Sequence, residues 1–236
     1  MHLLAPLVLL AAAALAAPAG ATADGPDFYR LTGEAAAAPP PLRTGPGPAH
    51  PVLGPLPEGA AGLANFGCRG GLSFGAWREA EADARAAAAA ARWCRVGHGR
   101  RVGWVPGSAL AEGTDTGGWT GGRRLGALGG SEWRLVALAA EPVEGEAWIA
   151  FSAAGRVSGN AGCNRLAASY EAGPGRLSLG PLAMTRMACP PPDDALERGF
   201  SAALEAAEEM VATHLVLALF DGKGRLLATL ARRDAE

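Results

Sequence analysis

Four cysteines constrain this chain more than any other feature: Cys68, Cys94, Cys163 and Cys189. Two fall in each half, on either side of a glycine-dense stretch, and the spacing within the two pairs is equal. Four cysteines allow three pairings. Joining Cys68 to Cys94 and Cys163 to Cys189 needs no contact across the glycine stretch. Each link would close a loop worth about 3.5 kcal/mol in the chain-entropy account, less any strain. The rival reading is a metal site. Zinc ligands usually come in closely spaced pairs, and neither C-x-x-C nor C-x-x-H occurs here. Two disulfides are therefore expected, with no metal and no cofactor.

Whether thiols oxidise depends on the compartment. Residues 1–23 read as a secretory signal peptide. Their apolar core, Leu3 to Ala17, falls short of the ~20 residues a membrane-spanning helix needs. Ala21-Thr22-Ala23 supplies a small-x-small cleavage pattern, so Asp24 would come first in a periplasmic or secreted protein without a membrane span. The reading departs from the usual pattern in one respect: no Lys or Arg precedes the core. The net charge of −2 gives no electrostatic footprint for nucleic acid or anionic lipid. The pairs Arg100-Arg101, Arg123-Arg124 and Arg232-Arg233 are too short and scattered to form a basic tract. Lys223 is the single lysine, and no glycine-rich loop leads into it, which excludes a Walker-type phosphate site. Within Asp221-Gly222-Lys223-Gly224 it reads as an exposed hairpin turn.

The chain divides at residues 113–131, where glycine is too dense for a well-packed helix or strand. As a flexible coil this linker would span roughly 24 Å. Trp119 is its odd residue, a candidate for docking on a neighbour. Residues 24–112 read as short strands with tight turns: Phe28 to Leu31, Val52-Leu53, Gly62 to Phe66, Trp93 to Val96 and Val102 to Val105. Ala35 to Pro41 reads as an irregular loop. Phe74 to Arg92, rich in alanine with Arg, Glu and Asp, predicts one helix with Ser73 at its N-cap. It is an insertion between strands, flanked by Cys68 and Cys94. Residues 132–236 read as strands at Glu132 to Leu138 and Ala147 to Phe151, another from Arg156, and an alternating one at Leu177 and Leu179. Asp193 can cap a helix reaching about Glu208, with Leu196, Phe200 and Leu204 as its buried stripe. His214 to Phe220 and Arg225 to Leu230 form a last hairpin. The fold class is mainly β with minor α.

Two resemblances follow from particular residues. Arg43-Thr44-Gly45-Pro46-Gly47, Val52 to Leu56, Trp93 to Val96, Gly103-Trp104-Val105 and a closing Leu110 resemble the bacterial SH3-like domain. That resemblance implies a small barrel of five or six strands, here with a helical insertion, in a family often attached to envelope proteins and in part binding peptidoglycan or peptides. In the second half, Gly159-Asn160-x-Gly162-Cys163-Asn164, Tyr170, Pro181-Leu182 and Thr185-Arg186-Met187-Ala188-Cys189 resemble the META domain, also called the HslJ-type domain. Ala168 departs from the glycine that many members carry before the Ser-Tyr pair. The resemblance implies an antiparallel β domain with one helix, an envelope location, and links to stress or antibiotic tolerance.

Candidate chemistry is sparse. Gly71-Leu72-Ser73-Phe74-Gly75 fits the G-x-S-x-G elbow. That elbow belongs to a large parallel sheet, and no strand–helix alternation exists here, so Ser73 reads better as a helix cap. A Cys68–His98 nucleophile pair fails if Cys68 is oxidised. Asn160, Asn164 and Arg186 cluster beside the second cysteine pair, as either a polar binding site or side-chain to backbone scaffolding. Tyr29, His50 and Trp104 are the candidate ligand groove of the first domain, although Trp104 suits a barrel core equally. The expectation is a non-enzymatic cell-envelope protein that binds peptidoglycan or a protein or peptide partner. The alternatives are a cell-wall hydrolase or its regulator, and a purely structural periplasmic protein.

Overall fold

Each half of the chain builds its own antiparallel sheet, and the computed structural model describes residues 25–233. The expected signal peptide lies outside the described residues. The first half runs β1 (Phe28–Leu31), α1 (Glu34–Ala37), β2 (Leu42–Arg43), β3 (Val52–Gly54), β4 (Leu63–Arg69), α2 (Phe74–Glu79), α3 (Ala82–Ala90), β5 (Trp93–His98), β6 (Arg101–Pro106) and, after a 3-10 turn, β7 (Leu110–Gly113). Its strand order is β3-β2-β6-β5-β4-β1-β7. The expected five or six strands become seven because the chain does not stop at Leu110: β7 pairs with β1 along its whole length. Tyr29, Leu31, Leu42, Leu63, Val96 and Val105 form the core.

The insertion is two helices where one was expected. Ala80 and Glu81 take extended dihedrals, with ψ of 146° and 163°. Alanine favours helix locally, but α3 buries no residue, and short helices without a packed face gain little from continuing. Arg85 stabilises the break. Its Nε donates to the carbonyl of Trp77 at 2.8 Å and an Nη to that of Arg78 at 2.9 Å. These are carbonyls that the end of α2 leaves without helical partners. The alanine-rich loop also departs slightly from expectation, since α1 forms within it.

The second half runs β8 (Ser131–Leu138), β9 (Glu141–Pro142), β10 (Ala147–Phe151), β11 (Arg156–Ala161), β12 (Arg165–Gly173), β13 (Arg176–Leu179), β14 (Ala183–Met184), α4 (Asp193–Glu205), β15 (Glu209–Ala212), β16 (Val216–Phe220) and β17 (Leu226–Arg232). Eight of these strands close on themselves, β8-β10-β11-β12-β13-β15-β16-β17 and back to β8. Alternate residues point inward, and Trp133, Leu135, Ile149, Phe151, Leu177 and Leu219 fill the interior. The helix α4 packs on β8, β10, β11 and β17, across the end where β8 finishes and β10 begins. Its expected stripe of Leu196, Phe200 and Leu204 is buried in the barrel core. Pro192 stands at the N-cap in place of Asp193, and both Asp193 and Asp194 occupy the first turn, where the helix dipole favours them. The helix stops at Glu205, and the following residues enter β15.

The two sheets dock through outer faces. All five residues of β16 are buried. Leu217 and Leu219 belong to the barrel core. Val216, Ala218 and Phe220 face the other way and pack with Val102 of β6 and with Leu53, Phe66 and Trp119. Trp104 donates its indole N–H to the Gly224 carbonyl at 2.8 Å, and Leu226 N–H donates to Thr44 at 2.6 Å. Gly224 has φ of 80°, and a Cβ there would stand 2.9 Å from the Trp104 ring, so glycine serves both the turn and the contact. The turn leaves Gly222 and Lys223 exposed as expected, while Asp221 and Gly224 are buried.

Residues 113–131 are not a free coil. Leu215 N–H donates to the Gly121 carbonyl at 3.0 Å, His214 to Arg123 at 2.9 Å, and Leu125 to Ala212 at 3.0 Å. Trp119 sets its ring edge-on to Phe66 at 5.3 Å. A Cβ on Gly97 would lie 2.5 Å from that indole, so a glycine on β5 makes the docking of Trp119 possible. The glycine density of the connector serves close backbone approach rather than slack.

Candidate functional site

Both disulfides form as the within-half pairing required, Cys68–Cys94 and Cys163–Cys189. Cys68 faces Cys94 across the β4–β5 ladder and pins the base of the insertion. Tyr29 and Arg92 both approach the Cys68 sulfur, at 3.6 and 3.2 Å.

Around the second disulfide, Asn164 is nearly inaccessible and fully engaged. Its amide nitrogen donates to the Met187 carbonyl at 3.1 Å and reaches Glu197 and the Cys189 sulfur, each at 3.2 Å. Its oxygen accepts from Thr185 Oγ1 at 2.7 Å and Met187 N–H at 2.8 Å. Glu197 also accepts the Asn164 backbone N–H at 2.8 Å, which ties this loop to α4. Asn160 accepts from the Gly162 N–H two residues on, at 2.7 Å, an Asx turn. Arg186 is exposed and stands outside this network. Asn160 and Asn164 therefore hold the loops, and Arg186 does not join them in a site. Cys163, Cys189 and Glu197 bring potential ligand atoms within 4.8 Å of one another. With the two sulfurs bonded to each other, no thiolate is available to a metal.

Tyr29, His50 and Trp104 do not share a groove. Trp104 is 0% exposed, inside the contact between the halves. Tyr29 is buried in the core of the first sheet, and burial raises its pKa against the opposing charge of Arg92. His50 is partly buried with its ring against Gly45, and its carbonyl accepts from Arg43 at 2.8 Å. The reason is topological: β6 is covered on both faces, so its indole cannot line an open groove. Ser73 accepts from the Ala76 N–H at 3.3 Å, as an N-cap does. His98 ends β5, and burial with the nearby Arg101 lowers its pKa.

The charged centre of the molecule was not apparent from the sequence. Arg95 on β5 is 7% exposed and lies between the rings of Trp104, at 4.9 Å, and Phe220, at 4.2 Å. It donates to Glu209 Oε2 at 2.6 Å, while Arg69 holds the other oxygen and reaches the Gly222 carbonyl at 3.0 Å. Burial lowers the Arg95 pKa, and the bond to Glu209 opposes that shift. One signal could have found this contact: Val216-Leu217-Ala218-Leu219-Phe220 is apolar without alternation, the mark of a strand covered on both faces.

Among the recesses of the described residues are two in which a guanidinium stacks on an aromatic ring. One, of 480 Å³, lies on the insertion and is lined by Gly70, Gly71, Leu72, Trp77, Arg85 and Arg92 among others. Trp77 is 48% exposed there, with the Arg85 guanidinium 4.5 Å from its ring centre. The other, of 870 Å³, lies at the second barrel against the connector, among Phe66, Arg124, Leu125, Leu128, Tyr170 and Met210. Arg124 stacks over Phe66 at 4.8 Å and donates to the Asn65 carbonyl at 2.6 Å. Burial lowers its pKa, with Asp27 opposing.

The comparisons with known proteins concern the second half. Residues 126–234 match the family model described as META domain, from the connector through β17. An NMR structure of a protein from Burkholderia xenovorans is 27% identical over 45% of this chain and 83% of its own, with a TM-score of 0.39. A second NMR structure is 27% identical over 45% of this chain and 90% of its own, with a TM-score of 0.37. No curated protein matches.

Proposed function

With a META domain at residues 126–234, we propose that this is a non-enzymatic protein of the bacterial cell envelope, exported by its N-terminal signal. In this reading its SH3-like first half binds peptidoglycan, and the META half contributes to envelope stress or antibiotic tolerance. Two disulfides fit an extracellular or periplasmic protein. Among the described residues no helix is long and apolar enough to cross a membrane.

The observation that carries the binding reading is the cleft on the insertion. An exposed indole offers a flat apolar face with a polar edge, suited to stacking on a sugar ring. Guanidinium groups suit the carboxylates of the short wall peptides. Trp77, Arg85 and Arg92 put both kinds of group in one recess, and among the described residues no carboxylate pairs with either arginine. This moves the binding face away from Tyr29, His50 and Trp104. Asn160 and Asn164 beside the second disulfide are spent on scaffolding, which supports a non-catalytic role for that loop.

Sedimentation of the purified protein with intact peptidoglycan tests the proposal. The protein is expected in the pellet, with Trp77→Ala about tenfold weaker, equivalent to ~1.4 kcal/mol. Wild-type protein wholly in the supernatant refutes wall binding. Binding unchanged in Trp77→Ala removes the cleft from it.

A further inference from the structure

The second barrel is covered at both ends. At one end α4 lies over the core. At the other, β8 and β11 begin while β10, β12 and β15 finish, and residues 124–129 of the connector run past with Leu125 N–H bonded to Ala212. Leu128 is buried in the barrel core from this side. The 870 Å³ cavity lies at this mouth, within the range of about 300–1,000 Å³ typical of small-molecule sites. It exists because its walls are short: Gly126, Ala127, Gly129, Ala172, Gly173 and Ala212 contribute almost no side chain.

Three features define what fits. The walls come from residues within 124–129, 170–175 and 210–212, together with Ala153 and Phe66. The larger side chains in it, Leu125, Leu128, Tyr170 and Met210, are apolar or present an aromatic ring, and the Tyr170 hydroxyl is already bonded to the Ser152 carbonyl at 2.9 Å. A single cation, Arg124, lines the cavity. Its bond to Asn65 uses one of the five N–H donors of the guanidinium. One positive group beside an apolar cavity is complementary to one negative head on an apolar tail.

We infer that the connector-covered mouth of the second barrel binds a fatty carboxylate, its tail against Leu125, Leu128, Tyr170 and Met210 and its head on Arg124. The site draws on both halves of the chain, since Phe66 sits on β4 of the first sheet while Tyr170 and Met210 belong to the second. This inference does not depend on wall binding through the insertion.

Calorimetric titration of the full protein with dodecanoate, kept below its micelle concentration, tests it. Dodecyltrimethylammonium supplies the same tail with the opposite charge. Saturable one-to-one binding of dodecanoate is expected, with the ammonium probe at least about tenfold weaker, since a charge-assisted hydrogen bond is lost. Arg124→Gln is expected to weaken dodecanoate by about the same factor in a protein that still folds, with its melting temperature lowered only slightly by the lost contacts to Phe66 and Asn65. Ala172→Trp, at an exposed strand position lining the cavity, is expected to block it. Equal binding of the two probes, no saturable binding of dodecanoate, or affinity that survives Arg124→Gln overturns the proposal. Sedimentation with peptidoglycan should be unchanged in Arg124→Gln, so the two proposals fail separately.

Discussion

The two ends of the second barrel are closed by different kinds of chain. At one end α4 lays down Leu196, Phe200 and Leu204, one per helical turn, and all three are buried. At the other end the connector contributes Leu125 and Leu128 among glycines and alanine, and a cavity remains. Interiors pack to crystal-like density when side chains of the right volume face one another. A regular helix can supply them at regular spacing, whereas a glycine-dense segment supplies backbone and few side chains. The helical end is therefore suited to holding the barrel together. The connector end forgoes contacts and keeps volume in which a ligand can lie.

The largest expected effect tests this division directly. Phe200→Ala removes a fully buried ring at the helical end and should cost about 3–5 kcal/mol in denaturant unfolding. Leu128→Ala, equally buried but beside a void, should cost only about 2 kcal/mol, the low end for such a truncation, because its surroundings are already loosely packed. Equal losses at the two positions would erase the distinction between a packed end and an open one.

A smaller effect is expected where the first half meets the barrel. Glu209 begins β15 and bonds both Arg95 and Arg69. Glu209→Gln would leave the buried Arg95 guanidinium between two aromatic rings without its counter-charge. Breaking a buried pair costs about 3–5 kcal/mol, but Glu209 and Arg69 are partly exposed, so about 2 kcal/mol is expected. The unfolding transition should shift while remaining single. Two separate transitions in the wild type would mean that the docked faces contribute little, and that the cavity mouth does not depend on the first half.

Much of this was readable from residues with local or periodic signatures. The disulfide pairing followed from the placement of four cysteines, and the α4 stripe from a spacing of four. The META match agrees with the motifs around Cys163 and Cys189. What escaped is what depends on two distant surfaces meeting. The run from Val216 to Phe220 reads as one strand of a hairpin, although its lack of alternation already points to cover on both faces. Glycines in the connector read as slack, because composition shows a missing side chain without showing what comes close to it. Trp104 looked like groove or core with equal right, and Gly224, its partner, lies far along the chain. Trp77 was hidden in an alanine-rich helix, since nothing in the spacing shows that the helix breaks and leaves the indole outside. Arg124 belongs to a pair too short for a basic tract, which is irrelevant to a site that uses one guanidinium.

The smallest expected effect concerns the turn at the helical end of the barrel. Asp221 accepts N–H groups from Lys223 at 2.9 Å and Arg225 at 2.8 Å, and pairs with the Arg225 side chain at 2.7 Å. Burial pushes its pKa up, yet these bonds and the Arg225 charge outweigh it, and the carboxyl lies below its usual value. The folded state therefore binds this proton less readily than the unfolded chain does. The stability it contributes is complete above the unfolded value, about 3.9, and is lost as pH falls through the lower folded one. Asp221→Asn should be less stable than wild type at pH 6, and the gap should narrow steadily below about pH 4. The same turn carries the Gly222 and Gly224 carbonyls that receive Arg69 and Trp104. Acid should accordingly loosen this contact first, with amide exchange rising near residues 222–226 before it rises in the connector. A gap that does not narrow as the pH is lowered, or exchange that rises first around Leu125, would count against an acid-labile contact at this turn.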